Sequence, residues 1–223
     1  MRTVVFKIRG PFGHFRKVYT TTSANTYSFP PRTAILGLIG AILGIENRPL
    51  SNHIKELGNL KVSAALEKPI RKTIISVNYL HTKKRKRTQI PLEVLKDPSF
   101  LIFVSEENFE KFDAFCEMLK RGESVFTPYL GISEFIAKIE LVGVFETTFC
   151  HLPCEVHSVV SSTQTKVKPE KGVLYLKERA VRQMDEFRNY KEHNTYILSA
   201  TGKPLKVVEG EVYSVGRWNI AWM

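Results

Sequence analysis

The chain has 223 residues, 43% of them hydrophobic, with 33 Lys and Arg against 22 Asp and Glu for a formal charge of +11. That length suffices for one large domain or two small ones with a sizeable core. Three cysteines, Cys116, Cys150 and Cys154, exclude a disulfide framework, and residues 1–3 run straight into strand-like alternation with no leader, so a cytoplasmic location with reduced thiols is the expectation.

The charge is uneven. Residues 1–45 hold six bases and no acid, residues 68–92 hold eight bases and no acid, and the rest of the chain sums to −3. A nearly neutral body with two concentrated cationic segments suits a polyanion. Nucleic acid is favoured over a membrane, because neither segment reads as a basic amphipathic helix.

Residues 3–9 alternate, with Val4, Phe6 and Ile8 on one face, and predict a first strand. Residues 10–30 read as a long cationic loop beginning Gly10-Pro11-Phe12-Gly13-His14-Phe15-Arg16. A helix is predicted over 31–44, with Pro31 suited to its first position. At about 100° per residue, Ala34, Gly37, Gly40, Ala41 and Gly44 share one face, and Ile35, Leu36, Leu38, Ile39, Ile42 and Leu43 the other. Tight packing of the small face on a sheet would account for the glycines, and so would close approach of free N–H groups to a phosphate.

Residues 60–67 predict a second strand. Residues 70–98 predict a β-hairpin arm, rich in β-formers over 73–80 and with a basic run at its tip. Residues 99–105 read as a buried strand. A second helix is expected after Ser105 as its cap, with Glu106 and Glu107 at its positive end, Phe109, Phe112, Phe115, Cys116 and Leu119 on one face, Lys120 and Arg121 in the last turn, and Gly122 as its stop. Residues 126–131, Phe-Thr-Pro-Tyr-Leu-Gly, form a turn in which Gly131 supplies a special backbone angle, and residues 135–145 are strand-like. Residues 146–223 read as short strands and loops, with polar stretches at 161–172 and 185–194 expected to be mobile and a strand over 212–222. The order strand, helix, strand, strand, helix, strand predicts an α+β fold of the split βαβ, ferredoxin-like (RRM-like) class, with the arm inserted between the second and third core strands.

The run Lys83, Lys84, Arg85, Lys86 and Arg87 is wasteful on one face of a strand, since strands alternate faces. It suits a tip surrounded by phosphates, and binding through it should be salt-sensitive and sequence-tolerant. Arg85 and Arg87 can also stack on bases. In the N-terminal loop Phe15 is a core anchor, Arg16 is a candidate phosphate or base contact through its planar fork of donors, and His14 either hydrogen-bonds RNA or caps the loop. Arg9 and Lys17 complete that cationic surface. Arg32 adds positive charge at a helix end that is already positive, which argues for an anion there.

His81, with Tyr79 and Lys83, is the one cluster resembling a metal-free ribonuclease set; the alternative is that these residues contact RNA without cutting it. Cys150, Cys154 and His157 invite a zinc reading, but the spacing is one residue wide, Pro153 interrupts it and no second cysteine pair exists, so no metal or cofactor is expected. No Walker loop, dinucleotide fingerprint or hydrolase elbow occurs.

The glycine-flanked Phe15-Arg16, the Tyr27…Pro30-Pro31-Arg32-Thr33 entry, the Gly37, Gly40 and Gly44 helix and the later Thr127-Pro128-Tyr129-Leu130-Gly131 resemble the Cas-five family of the RAMP superfamily, subunits of type I CRISPR surveillance complexes (Cascade), closest to I-B-like or archaeal I-A-like members. The likeness covers about the first 145 residues. It implies a RAMP domain over 1–145 whose hairpin at about 70–98 is a thumb lying across the guide, and a β-rich C-terminal extension over 146–223 packed on the same unit. It further implies a non-catalytic antiviral-defence subunit that binds the 5′ handle of crRNA, caps the backbone filament, and meets the Cascade backbone subunit and the large PAM-recognising subunit, with target DNA reached only indirectly. The RNA-binding set is then Arg9, His14, Arg16, Lys17, Arg32, His81, Lys83, Lys84, Arg85, Lys86 and Arg87. The alternatives are a metal-independent endoribonuclease that processes precursor crRNA, and a structural adaptor whose basic segments grip a protein or DNA partner.

Overall fold

The computed structural model describes residues 1–19, 24–46, 50–81 and 86–223. In the first half, β1 is Arg2–Arg9 and β2 is Phe12–Gly13, followed by α1 (Arg32–Leu43), α2 (Leu50–Leu57), β3 (Val62–Leu66), β4 (Lys72–His81), β5 (Lys86–Lys96) and β6 (Ser99–Ser105). Next come α3 (Phe112–Arg121) and β7 (Lys138–Phe149). The remainder is β8 (Cys154–Val156), β9 (Val160–Ser161), β10 (Lys166–Val167), β11 (Tyr175–Met184), β12 (Tyr190–Ser199), β13 (Leu205–Glu209), β14 (Tyr213–Val215) and β15 (Trp218–Ile220).

The central sheet has the order β15-β14-β7-β1-β6-β3, and every neighbouring pair is antiparallel. Val4, Phe6 and Ile8 of β1 enter one core with Ile35, Ile39 and Ile42 of α1 and Phe115 and Leu119 of α3. The ring of Phe115 stands edge-on to Phe6 at 5.7 Å. Val5, Leu101 and Phe103 point the other way, into a second core with Tyr213, Val215 and Trp218. Both faces are therefore covered, which is why residues 100–104 are an unbroken apolar run rather than an alternating one.

The branched face of α1 enters the main core, while Gly40 on the small face meets α2. A Cβ at Gly40 would lie 2.9 Å from His53 Nε2 on α2. At Gly37 a Cβ would meet nothing within 4 Å among the described residues. Gly44 closes α1 at φ 74°, its N–H donating to the Gly40 carbonyl, the left-handed cap that glycine adopts without strain. α2 is not announced by the sequence, being only two turns long.

The second helix starts later than expected. Ser105 Oγ does accept the N–H of Glu107, but Asn108 has φ 59° and α3 begins at Phe112. Glu106 is drawn instead to Arg2, accepting its backbone N–H at 2.6 Å and its Nε at 2.7 Å. The arm is a long hairpin, β4 paired with β5 from Lys72↔Leu95 to His81↔Lys86. Its base joins the N-terminal loop, where Phe12 pairs with Lys96 and Gly13 with Leu95.

In the C-terminal part β11 and β12 pair along their length. The expected mobile stretch at 185–194 is instead a tight turn feeding a strand. Asp185 Oδ1 accepts the N–H groups of Phe187 and Asn189, an Asx-type turn, and β12 starts at Tyr190. Ala180, Tyr196 and Leu198 of this hairpin lie in the main core, and the expected final strand is the β14–β15 hairpin that widens the central sheet. No helix among the described residues is long and apolar enough to cross a membrane.

Candidate nucleic-acid interface

The cationic loop leaves β1 and is tied at once to the base of the arm. His14 is 3% exposed; its N–H donates to Leu130 O at 2.9 Å, and its Nδ1 lies 2.7 Å from Glu93 O on β5. A carbonyl can only accept, so Nδ1 carries the proton. Burial pushes the His14 pKa below its ordinary value, because an imidazolium there would lose its water. Of the two roles open to His14, capping the loop is the one its geometry fills. Phe15 is buried against Phe100 with ring centroids 6.4 Å apart, and its N–H donates to Thr26 Oγ1.

Thr26 closes the loop. Its N–H donates to Glu93 Oε1 at 3.0 Å, and its carbonyl accepts Lys72 Nζ at 2.8 Å. Lys17 Nζ sits 2.9 Å from Glu178 Oε1 and 5.7 Å from the centre of the Tyr27 ring. Burial alone would lower the Lys17 pKa, but the hydrogen bond and charge of Glu178 outweigh it and the pKa ends raised. Glu178 is itself buried and accepts both the N–H and the hydroxyl of Ser28. Glu93 and Glu178 thus partly neutralise the loop, and no local pattern in the sequence singles them out.

Arg16 is exposed, its backbone bridged to Thr26, and no ion pair holds it among the described residues. Arg87 on β5 is exposed on the same terms, as is Lys96 at the base of β5, a cation the sequence reading missed. Arg9 is half-exposed and reaches Glu140 at 3.4 Å. Lys83, Lys84 and Arg85 lie outside the described residues, as do the side chains of His81 and Lys86, and with them the His81–Tyr79 cluster.

Arg32 does not join this surface. It is 6% exposed. Its Nη2 donates to Gly58 O at 2.7 Å and Leu60 O at 2.9 Å, and its Nη1 to Arg182 O at 3.3 Å. Three backbone carbonyls receive the charge that the sequence placed at the start of α1. Burial, followed by the charge of Arg182, pulls its pKa down.

At the other end of the chain, burial pushes the Cys154 thiol up to about 12, with Cys150 as a hydrogen-bonding neighbour. Among the described residues no cluster of three His, Cys, Asp or Glu could hold a metal ion.

Solved structures share this architecture. A CRISPR protein from Archaeoglobus fulgidus is 14% identical and superposes with a TM-score of 0.62 over 99% of this chain and 98% of its own. A chain of the type III-B Cmr-beta complex bound to cognate target RNA and AMPPnP is 14% identical, with a TM-score of 0.51 over 92% and 86%. A chain of a CRISPR RNA-guided surveillance complex is 13% identical, with a TM-score of 0.50 over 98% and 93%. At such identities the likeness is one of fold. No curated protein matches the chain in sequence. A family profile described as CRISPR-associated protein (Cas_Cas5) matches residues 3–197, nearly the whole length. The chain belongs to this CRISPR-associated family.

Proposed function

We propose that this chain is a non-catalytic, RNA-binding subunit of a type I CRISPR surveillance complex. In this reading it holds the 5′ handle of crRNA, caps the backbone filament, and contacts the backbone subunit and the large PAM-recognising subunit. One observation carries the reading. The N-terminal loop bearing Arg16 is stitched through Thr26, Glu93 and Lys72 to the base of the β4–β5 hairpin, so the loop and the foot of the arm, far apart in sequence, are held together. Exposed Arg16, Arg87 and Lys96 supply donors for phosphates. Family membership supports the CRISPR context. The strand order β7-β1-β6-β3, with α1 and α3 packed on one face, supports a ferredoxin-like assignment with the hairpin as its thumb.

The test is equilibrium binding of handle RNA and of unrelated RNA of equal length at one salt concentration. Tighter binding of the handle is expected, with no cleavage in EDTA. Equal affinity for both would favour a generic adaptor, and site-specific cleavage in EDTA would favour the endoribonuclease.

A further inference from the structure

Two adjoining cavities meet at Arg32 and Arg182. The larger, of about 550 Å³, is lined by these arginines and by Asn59, Gln164, Gln183 and Trp222, among others. The smaller, of about 320 Å³, is walled by Arg32 and Arg182 together with Leu36, Gly37, Arg188 and Tyr190. Of the residues expected from the sequence to bind RNA, Arg32 is the one among their lining residues.

The polar groups around this junction have a surplus of donors. Arg182 gives Nη1 to Glu192 at 2.7 Å, which leaves its Nε–Nη2 edge with no acceptor among the described residues; Nε is enclosed. Arg32 has spent both terminal nitrogens on carbonyls, and its enclosed Nε has no acceptor either. Trp222 Nε1 is a third enclosed donor without a partner among the described residues. None of these atoms can accept a hydrogen bond. Glu211 is the acid lining the larger cavity, and it already accepts the hydroxyl of Tyr213; no acid lines the smaller one. Glu192, paired with Arg182, is the carboxylate felt at Arg32, and the free edge of Arg182 and the enclosed donors beside it still call for an acceptor-rich anion.

The smaller cavity has a different chemistry. Leu36, Ile54 and Met184 give it apolar walls, and Gly37 leaves its side of α1 open. Tyr190, half-exposed, presents a ring at the same cavity, and Arg188 a third arginine. An anion subsite joined to an apolar slot with an aromatic ring matches a phosphate joined to a base.

We infer that the paired cavities are a binding site for a nucleotide, its phosphate on the free edge of Arg182 with Arg32 behind it, and its base in the slot between Gly37 and Tyr190. The nucleotide is either a residue of bound RNA or a free ribonucleotide. The site goes beyond the loop-and-arm reading and does not depend on it.

Calorimetric titration of the whole chain with the four ribonucleoside 5′-monophosphates tests the site. Saturable uptake of at least one is expected, with none of the corresponding nucleoside. Arg182→Ala should weaken it about tenfold or more. Gly37→Leu, which fills the slot from a position where a Cβ meets nothing, should also weaken it without lowering the melting temperature. Competition by an RNA oligonucleotide assigns the site to a residue of RNA, and its absence assigns it to a free nucleotide; both support a nucleotide site. No saturable uptake by the wild-type chain, or uptake indifferent to both variants, overturns it. Replacing residues 83–87 by Ser should leave this uptake unchanged, so failure of the arm and failure of the cavity are told apart.

Discussion

Gly131 is seated so tightly on His14 that a Cβ added to it would stand 1.9 Å from the His14 carbonyl oxygen. The neighbouring Leu130 carbonyl accepts the N–H of His14. The Pro-Tyr-Leu-Gly turn is therefore a clamp on the cationic loop. Gly131 also has φ 92°, outside the range ordinary side chains tolerate. Gly131→Ala should destabilise the chain by about 3 kcal/mol through overpacking and backbone strain. A urea melt checks this, and a shift under roughly 1 kcal/mol would show that the loop can move aside.

Glu178 fastens the same loop from β11. Glu178→Ala would remove the carboxylate shared by Lys17 and Lys72 and leave two donors of Ser28 without that acceptor. The expected cost is about 3 kcal/mol, as for removal of one member of a buried pair. RNA affinity should fall with it, because Arg16 rides on the loop. Undiminished stability in chemical denaturation would mean that the pair is replaced by water at little cost.

Two glycines of α1 should behave oppositely. Gly37→Ala meets open space and gains helix propensity, so it should stabilise by roughly 0.5–1 kcal/mol. Gly40→Ala would drive a methyl group to 2.9 Å from His53 Nε2, pushing the buried ring off its 3.2 Å bond to Leu36 O. That should cost about 1–3 kcal/mol. Melting temperatures of the two variants in one buffer settle the comparison; equal shifts would contradict the packing of α2 on α1.

The pKa values of His14 and His53 are both lowered, burial being the main cause in each. Between the lowered folded values and the ordinary value of 6.5, the unfolded chain binds more protons than the folded one. Stability contributed by the neutral rings is thus complete above about pH 6.5 and declines as the pH falls through that value toward the folded pKa values. The melting temperature should drop between pH 7.5 and pH 5.5, and the combined His14→Asn and His53→Gln variant should show a flatter profile. An unchanged profile would place the acid sensitivity elsewhere.

Replacing residues 83–87 by Ser should weaken RNA binding and flatten its dependence on salt. Each lost contact to a single strand is expected to reduce the logarithmic slope by about 0.7. Titrations at several salt concentrations measure it; an unaltered slope would take the arm out of the interface.

Much of this molecule is written locally. Val4, Phe6 and Ile8 declare a strand, residues 70–98 declare a hairpin, and Gly131 declares a special angle, because two-residue and 3.6-residue periods and left-handed backbone are properties of neighbouring residues. The charge maps are local too, and they point to a polyanion from composition alone. What the cations do is decided at long range. Arg32 looked like an anion contact at a helix start, yet its charge is met by the carbonyls of Gly58, Leu60 and Arg182, the last 150 residues away. Lys17 looked free to bind and is held by Glu178. A side chain's charge can be read from its name, but its partners are chosen by how the chain packs, and only the folded structure brings those partners within hydrogen-bonding distance.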